Sequence, residues 1–374
     1  MLSIEDEVQL NGLIRYVYDK NITHGRLLNC TIVDENTAAV ISLQVIILLA
    51  AFLNSFRMGL AFEYKIAPRK NAKFLIIGYL CQFFLQPCLA LLIVWLLRDL
   101  ITPYQKMSVL CLGACPGGVA STAFAGLLGG NKEKATRIST NTVFFSWIFT
   151  PSILLAMSLV IDYPSDLFDK HGRTFVAALI ACVSFAIVPL FLGAILRKYF
   201  FTQSEERMEK LQKFQKLLFL LEILTTLATV FLVLPQARKF TTRYIVTVGL
   251  LLPFITAAFG YVFAALVHTI LLTPFISKLL PKNADVVTEY TTFGLTSGIQ
   301  NNRLAMAVLV AWSFWKIDGF NCKTAFLHTN IGPALYGLSQ MFTGGLAVLT
   351  NNTRKRNKLI EGEKGRFLGE ETNL

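Results

Sequence analysis

Charge is scarce in this sequence. Lys, Arg, Asp and Glu make up only 16% of 374 residues, whereas 54% are hydrophobic. Soluble domains carry about a quarter of charged residues, so this balance excludes an ordinary soluble fold and points to a chain that crosses a bilayer several times. Metal-binding patterns are lacking too: there is no CxxC pair and no His/Cys cluster, so no metal centre is expected. The four histidines (His24, His171, His268 and His328) are scattered, and neither Gly-x-Ser-x-Gly nor His-Glu-x-x-His occurs. Glu222 is the one carboxylate well inside an apolar stretch, which leaves an intramembrane enzyme without paired acids or a nucleophile–base pair. The opening MLSIEDEVQL is acidic and has no apolar core, so no cleaved signal peptide is expected.

What is present is a series of long apolar runs. Nine spans are read, at about 38–62, 72–97, 107–128, 136–161, 173–196, 214–235, 244–274, 286–314 and 325–350. Each holds roughly 20 or more mainly apolar residues, the length that crosses a hydrocarbon core. An odd number puts the termini on opposite sides. The expected organisation is an N-terminal segment 1–37, a first set of spans in 38–161, a second in 162–350 and a basic tail 351–374.

The net charge of +12 reads as topology rather than as a nucleic-acid footprint. With the N-terminus outside, about 21 Lys/Arg fall on the inner side and about 12 on the outer, in keeping with the excess of basic residues on cytoplasmic loops. The sequons at Asn21 and Asn29 then lie outside and are candidate glycosylation sites, favouring the plasma membrane. Most of the seven cysteines sit in apolar runs and act as small hydrophobes. Cys30 and Cys322 lie outside the spans, on the same side, and are candidates for a disulfide whose distance sequence cannot test.

Two stretches break the apolar pattern. Cys115–Phe124 reads CPGGVASTAF, and Thr291–Ala305 reads TTFGLTSGIQNNRLA. Unpaired polar groups cost several kcal/mol each in hydrocarbon. Non-helical backbone at that depth survives only where it is buried in protein or lines a wet cavity. A pair of interrupted spans in the two halves of a chain is the sequence pointer to a transporter's binding site. Three charges lie within the spans: Arg57, Glu222 and Arg303. Intramembrane ionisable residues are functional candidates by default. Arg57, near a span end, reads as a side chain that snorkels to the interface. Glu222 either titrates or couples to a cation, or pairs with a neighbouring helix.

These residues resemble the bile acid:sodium symporter family over about residues 38–350. Leu80-Cys-Gln82-Phe followed by Pro87, Cys115-Pro-Gly-Gly118 with Ser121, Gly129-Gly-Asn131 followed by Ser139-Thr140, Ser297-Gly-Ile-Gln300-Asn301, and Ile331-Gly-Pro333 with Gln340 match five family segments in order. The resemblance implies an all-α membrane protein with nine transmembrane helices and an inverted repeat. Two broken helices cross, in spans 3 and 8, and core and panel domains move against each other. It implies an organic-anion substrate of the bile acid or steroid-conjugate type, carried by secondary active transport without covalent catalysis. A receptor-like, non-transporting member is the alternative. No cofactor is implied, although Na+ enters as a coupling ion.

Residue by residue, the resemblance puts Gln82, Ser121, Thr122, Ser139, Thr296, Ser297, Ile299 and Gln300 at the sodium, or polar crossover, site. Pro116, Gly117, Gly118, Asn301 and Arg303 fall to substrate binding. The departures are specific. The family's acidic residue shared by its sodium sites is Thr296 here; the asparagine after Ser121 is Thr122; a serine at the start of span 4 is Ala135. Without a carboxylate, a buried cation lacks its counter-charge, which is costly. Arg303 stands three residues past Gln300. It is expected to take over sodium's electrostatic role, anchoring either the crossed helix ends or an anionic substrate, beside helix C-terminal ends that attract a cation.

Overall fold

The computed structural model describes residues 37–62, 72–98, 103–160, 171–201, 204–237, 292, 296, 301–314, 330, 332–334, 336 and 337. The two sequons, Cys30, Cys322, the span expected at 244–274 and the tail lie outside the described residues. Every regular element among the described residues is helical. Five stretches are long and apolar enough to cross a membrane: Ile41–Ala61, Gly78–Leu96, Lys132–Met157, Phe175–Phe201 and Glu205–Leu232. Their outward faces carry large apolar side chains, with Trp95 62% and Phe231 72% exposed. A water-soluble surface would not concentrate such groups, and the protein is a multi-pass membrane protein.

Helix α1 (Thr37–Ala61) coincides with the first expected span. The second span is α2 (Ala72–Leu80), a π-helical stretch Cys81–Leu85 and α3 (Gln86–Leu96). The widened turn has a local cause. Pro87 has no N–H, and its ring collides with a carbonyl one turn back. A π-type turn, closed by the Gln86 N–H donating to the Cys81 carbonyl, carries the chain past it. The same device recurs where Val183–Ile187 is π-helical just ahead of Pro189.

The third span is broken. Helix α4 (Pro103–Ala114) stops, Cys115–Gly118 is non-helical, and α5 (Val119–Leu127) resumes from an extended Gly118. Gly129, at φ +87°, then lets the chain reverse. The Leu128 and Gly130 N–H groups close onto the Phe124 and Ala125 carbonyls, a left-handed cap that satisfies the helix end. Asn131 opens α6 (Lys132–Val160), its Oδ1 accepting the Lys134 N–H.

Next come α7 (His171–Cys182), the π stretch Val183–Ile187, α8 (Val188–Leu196) and a second π stretch, Arg197–Phe201. Helix α9 (Glu205–Ala237) begins well before the apolar run expected at 214–235. Its polar first turns are held by Ser204 accepting from the Arg207 N–H, and by Glu206–Lys210 and Glu209–Lys213 pairs. Such pairs stabilise an exposed helix modestly, and a hydropathy reading ignores them. In the eighth span Thr292 and Thr296 are helical, Asn301 is not, and α10 runs Asn302–Phe314.

Helix α1 makes its most extensive contact with α8 and also packs on α9 and α10. Two glycines set its approach to α8. A Cβ on Gly59 would meet the Leu190 carbonyl, and one on Gly193 would meet the Phe56 carbonyl. Small residues at such crossings let two membrane helices come backbone to backbone. The principal apolar core runs from α1 through α3, α4 and α7 to α10.

Candidate functional site

The two breaks touch. Asn301 donates its backbone N–H to the Pro116 carbonyl at 2.8 Å. Gln82 ties both sides: its Nε2 donates to the Thr296 carbonyl at 2.8 Å, and its Oε1 accepts the Gly117 N–H at 3.1 Å. Gly118 lies against Asn301, whose Cα and Cβ are 3.5 Å from where a Cβ on Gly118 would stand. Every hydrogen bond made here replaces one that water cannot supply at membrane depth. The sequence-based candidates Gln82, Pro116, Gly117, Gly118, Thr296 and Asn301 therefore share one locus. Ser297, Ile299 and Gln300 lie outside the described residues.

The neighbouring hydroxyls face inward onto their own helices and one another. Ser121 Oγ donates to the Gly118 carbonyl at 2.6 Å and lies 3.0 Å from Ser139 Oγ on α6. Thr122 donates to the Val119 carbonyl, and Thr296 to the Thr292 carbonyl. Thr292 in turn accepts the Asn131 N–H, linking the turn before α6 to the eighth span. A contact not singled out from sequence closes the list: Thr150 on α6 donates to the Ala114 carbonyl at 2.9 Å. That carbonyl is freed where α4 ends. One buried threonine among many carries no mark in sequence, although a search for a hydroxyl opposite each helix break would include it.

At this crossover the described residues offer hydroxyls, the two carboxamides of Gln82 and Asn301 and carbonyl oxygens, but no carboxylate. No group of three or more His, Cys, Asp or Glu that could hold a metal occurs among the described residues. The oxygens that suit an alkali cation are hard donors, and those of Gln82 and Ser121 are already engaged by protein hydrogen bonds.

The three intramembrane charges form one cluster beside the second break. Glu222 on α9, 1% exposed, receives Arg57 of α1 in a two-pronged pair, Nε to Oε1 at 2.9 Å and Nη2 to Oε2 at 2.8 Å. The Arg57 guanidinium also lies 4.8 Å over the Phe219 ring. Arg57 is thus held in the protein and does not snorkel. Arg303 approaches Glu222 Oε2 with Nη1 at 3.2 Å. It also donates to Asn54 Oδ1 at 3.3 Å, to Thr226 Oγ1 at 2.8 Å and to the Glu222 backbone carbonyl at 3.2 Å.

Arg303 is the second residue of α10. It stands at a helix N-terminus, whose dipole repels a cation; the helix C-terminal end expected just before it in the eighth span lies outside the described residues. The charge of Arg303 is balanced from outside its own helix, by Glu222 and neutral oxygens. Among the described residues, two guanidiniums against one carboxylate leave this cluster one positive charge in excess. Two buried amide nitrogens lack partners, one on Asn54 within the cluster and one on Asn301, two residues before Arg303. Asn54 Oδ1 accepts from Arg303 and Asn301 Oδ1 caps α10 by accepting the Leu304 N–H, yet the Nδ2 of each makes no hydrogen bond. The leftover polar capacity at these residues is therefore all donor: one surplus cation, two amide N–H groups and a helix N-terminus, a combination that binds anions.

Comparison with known proteins follows the same line. The sequence profile described as the Sodium Bile acid symporter family matches residues 46–244. The chain is 26% identical over 180 residues to the ileal sodium/bile acid cotransporter of Oryctolagus cuniculus, covering 43% of this chain and 50% of the relative. It is 27% identical over 164 residues to the ileal sodium/bile acid cotransporter of Homo sapiens, covering 41% and 45%. The matched stretch spans about half the length of these curated relatives.

Proposed function

Since the chain belongs to the Sodium Bile acid symporter family, whose members are transporters and not enzymes, we propose that it moves an amphipathic organic anion across the membrane by alternating access. The substrate class is the bile acid or steroid-conjugate type; the relatives it resembles are named as bile acid cotransporters. The observation that carries this reading is the Arg303 cluster, with its surplus positive charge and its two unpartnered amide donors at the edge of the crossover. The substrate's anionic group sits on Arg303, Asn301 and Asn54, and its apolar body lies against the surrounding helices. Binding biases an equilibrium between outward and inward arrangements, as any ligand with unequal affinity for two states does.

Transport is independent of sodium in this proposal. Thr296 stands where relatives carry the shared acid, and the crossover oxygens of Gln82 and Ser121 are bonded within the protein. Arg303 supplies the positive charge that sodium supplies elsewhere. The N-terminus lies outside and the basic tail in the cytoplasm, following the distribution of Lys and Arg, and the sequons at Asn21 and Asn29 favour the plasma membrane. Uptake of radiolabelled taurocholate and estrone sulfate by cells expressing the chain tests this. Uptake above that of control cells, unchanged when choline replaces sodium and abolished in Arg303→Ala, is expected. A large loss in choline medium would sink sodium independence, and an unaffected Arg303→Ala would sink the role of the arginine. Binding without accumulation would favour a receptor-like member.

A further inference from the structure

The cluster around Glu222 is asymmetric, and the asymmetry shows how it could work. Arg57 and Glu222 form a short two-pronged pair between α1 and α9, the strong geometry for a guanidinium and a carboxylate. Arg303 reaches the same carboxylate through a single oxygen at 3.2 Å, and its remaining bonds go to neutral oxygens. Arg303 is also the only member carried on the broken eighth span; the others sit on α1 and α9. Of the three charges it is the one that can leave without stranding a partner. If it goes, Arg57 and Glu222 remain a neutral pair. Arg303 itself, 14% exposed at a helix N-terminus, is left without a counter-charge unless an anion takes the place of Glu222.

We propose that Glu222 is a built-in competitor for the anion site on Arg303. It latches the helix that follows the break to α1 and α9 until one monoanionic group of the substrate takes its place. The proposal rests on the anion reading of the site given above. Charge bookkeeping sets the stoichiometry. With Glu222 shared, the cluster carries one surplus positive charge; with one monoanion on Arg303, both pairs are neutral. A neutral molecule cannot displace the carboxylate, and a dianion leaves a buried negative charge. The latch therefore couples arrival of a correctly charged substrate to release of α10 from α1 and α9. A ligand can shift such an equilibrium only through its different affinity for the two arrangements, and exchange of counter-ions supplies that difference.

The test uses the full-length protein in detergent, with two readouts. One is equilibrium binding of tritiated taurocholate, a monoanionic sulfonate, with an uncharged steroid as control. The other is amide hydrogen exchange of residues 302–314 with no ligand added. Glu222→Gln removes the competitor and is expected to tighten taurocholate binding at least about tenfold, the scale of coupling between close desolvated charges. It should also speed exchange in 302–314. Arg57→Gln leaves Glu222 to Arg303 alone, and is expected to weaken binding by a similar factor and slow that exchange. The double variant, which keeps Arg303 and removes both neighbours, is expected to bind at least as well as the wild type. The uncharged steroid should respond to none of these changes. Opposite effects of the two single variants are what a purely structural cluster would not give. If both singles weaken binding alike and the double is weaker still, or if exchange is the same in all four proteins, the latch is overturned. If taurocholate binds all four equally, the latch falls while the anion reading stands. If it binds none while exchange ranks as stated, the anion reading falls and the competition with it, and only the tether of α10 to α1 and α9 stands.

Discussion

Gln82 and Thr296, 214 residues apart in sequence, are joined by a 2.8 Å hydrogen bond from the carboxamide of one to the backbone carbonyl of the other. The other end of the same carboxamide receives the Gly117 N–H. One side chain thus stitches both breaks, from the π-helical turn that Pro87 imposes on its own helix.

Replacing Gln82 with Leu is accordingly expected to remove the donor to the Thr296 carbonyl and the acceptor of the Gly117 N–H. Each buried hydrogen bond broken from one side costs about 1–3 kcal/mol. Gln82→Glu keeps an acceptor for Gly117 but cannot, as a carboxylate, donate to Thr296. Both variants should melt below the wild type in detergent, the Glu variant also because it buries an unpaired charge at a site only 1% exposed. A Leu variant as stable as wild type would show that the stitch contributes nothing.

Thr150→Val is nearly isosteric and removes one hydroxyl from a fully buried site. The Ala114 carbonyl, freed where α4 ends, then loses the donor seen at 2.9 Å. A destabilisation of about 1–3 kcal/mol is expected, read as a lower midpoint in thermal unfolding. Thr136→Val, whose hydroxyl bonds an exposed backbone carbonyl of its own helix, serves as the control and should change little. Equal effects of the two would deny the break any special need for Thr150.

Much of the helical framework was legible because membrane spans announce themselves by length and apolarity. The run expected at 38–62 is α1 at Thr37–Ala61, and the Pro-Gly-Gly run marks the break between α4 and α5. The early start of α9 was not legible, because Glu–Lys pairs four apart stabilise a helix outside the apolar window. The charges at 57, 222 and 303 were each visible, and their gathering was not. Nothing local in a sequence says that residues 165 and 81 positions apart share a carboxylate. Where the helix resumes after the second break was not legible either: Asn301 is the last non-helical residue before α10, and polar sequence alone does not say where unwinding stops.

The crossing of α1 and α8 yields a packing prediction. Gly59→Ala and Gly193→Ala each place a methyl against a backbone carbonyl of the opposite helix. Backbone cannot swing aside as a side chain can, so the helices must separate, at a cost of about 1–3 kcal/mol or more. Lower melting temperatures and less monodisperse protein are expected from both. Gly126→Ala, where a Cβ would meet only the Lys132 side chain, should be tolerated. Wild-type melting of the Gly193 variant would mean that the two helices do not approach as described.

Thr296→Glu probes the position that separates this chain from the acidic pattern it resembles. The Thr296 side chain is 1% exposed and donates to the Thr292 carbonyl, so the substitution places a carboxylate in a site built for a hydroxyl. A buried charge without a partner is strongly destabilising, and in choline buffer the variant should melt well below the wild type. Sodium supplies the missing counter-charge, held by the new carboxylate and nearby carbonyl oxygens as hard donors. The melting temperature of the variant should therefore rise with sodium concentration, as for any ligand that binds only the folded state, while that of the wild type stays flat. A sodium-dependent wild type would place a working cation site where Thr296 already stands. A variant indifferent to sodium would mean that one carboxylate is not enough to restore one.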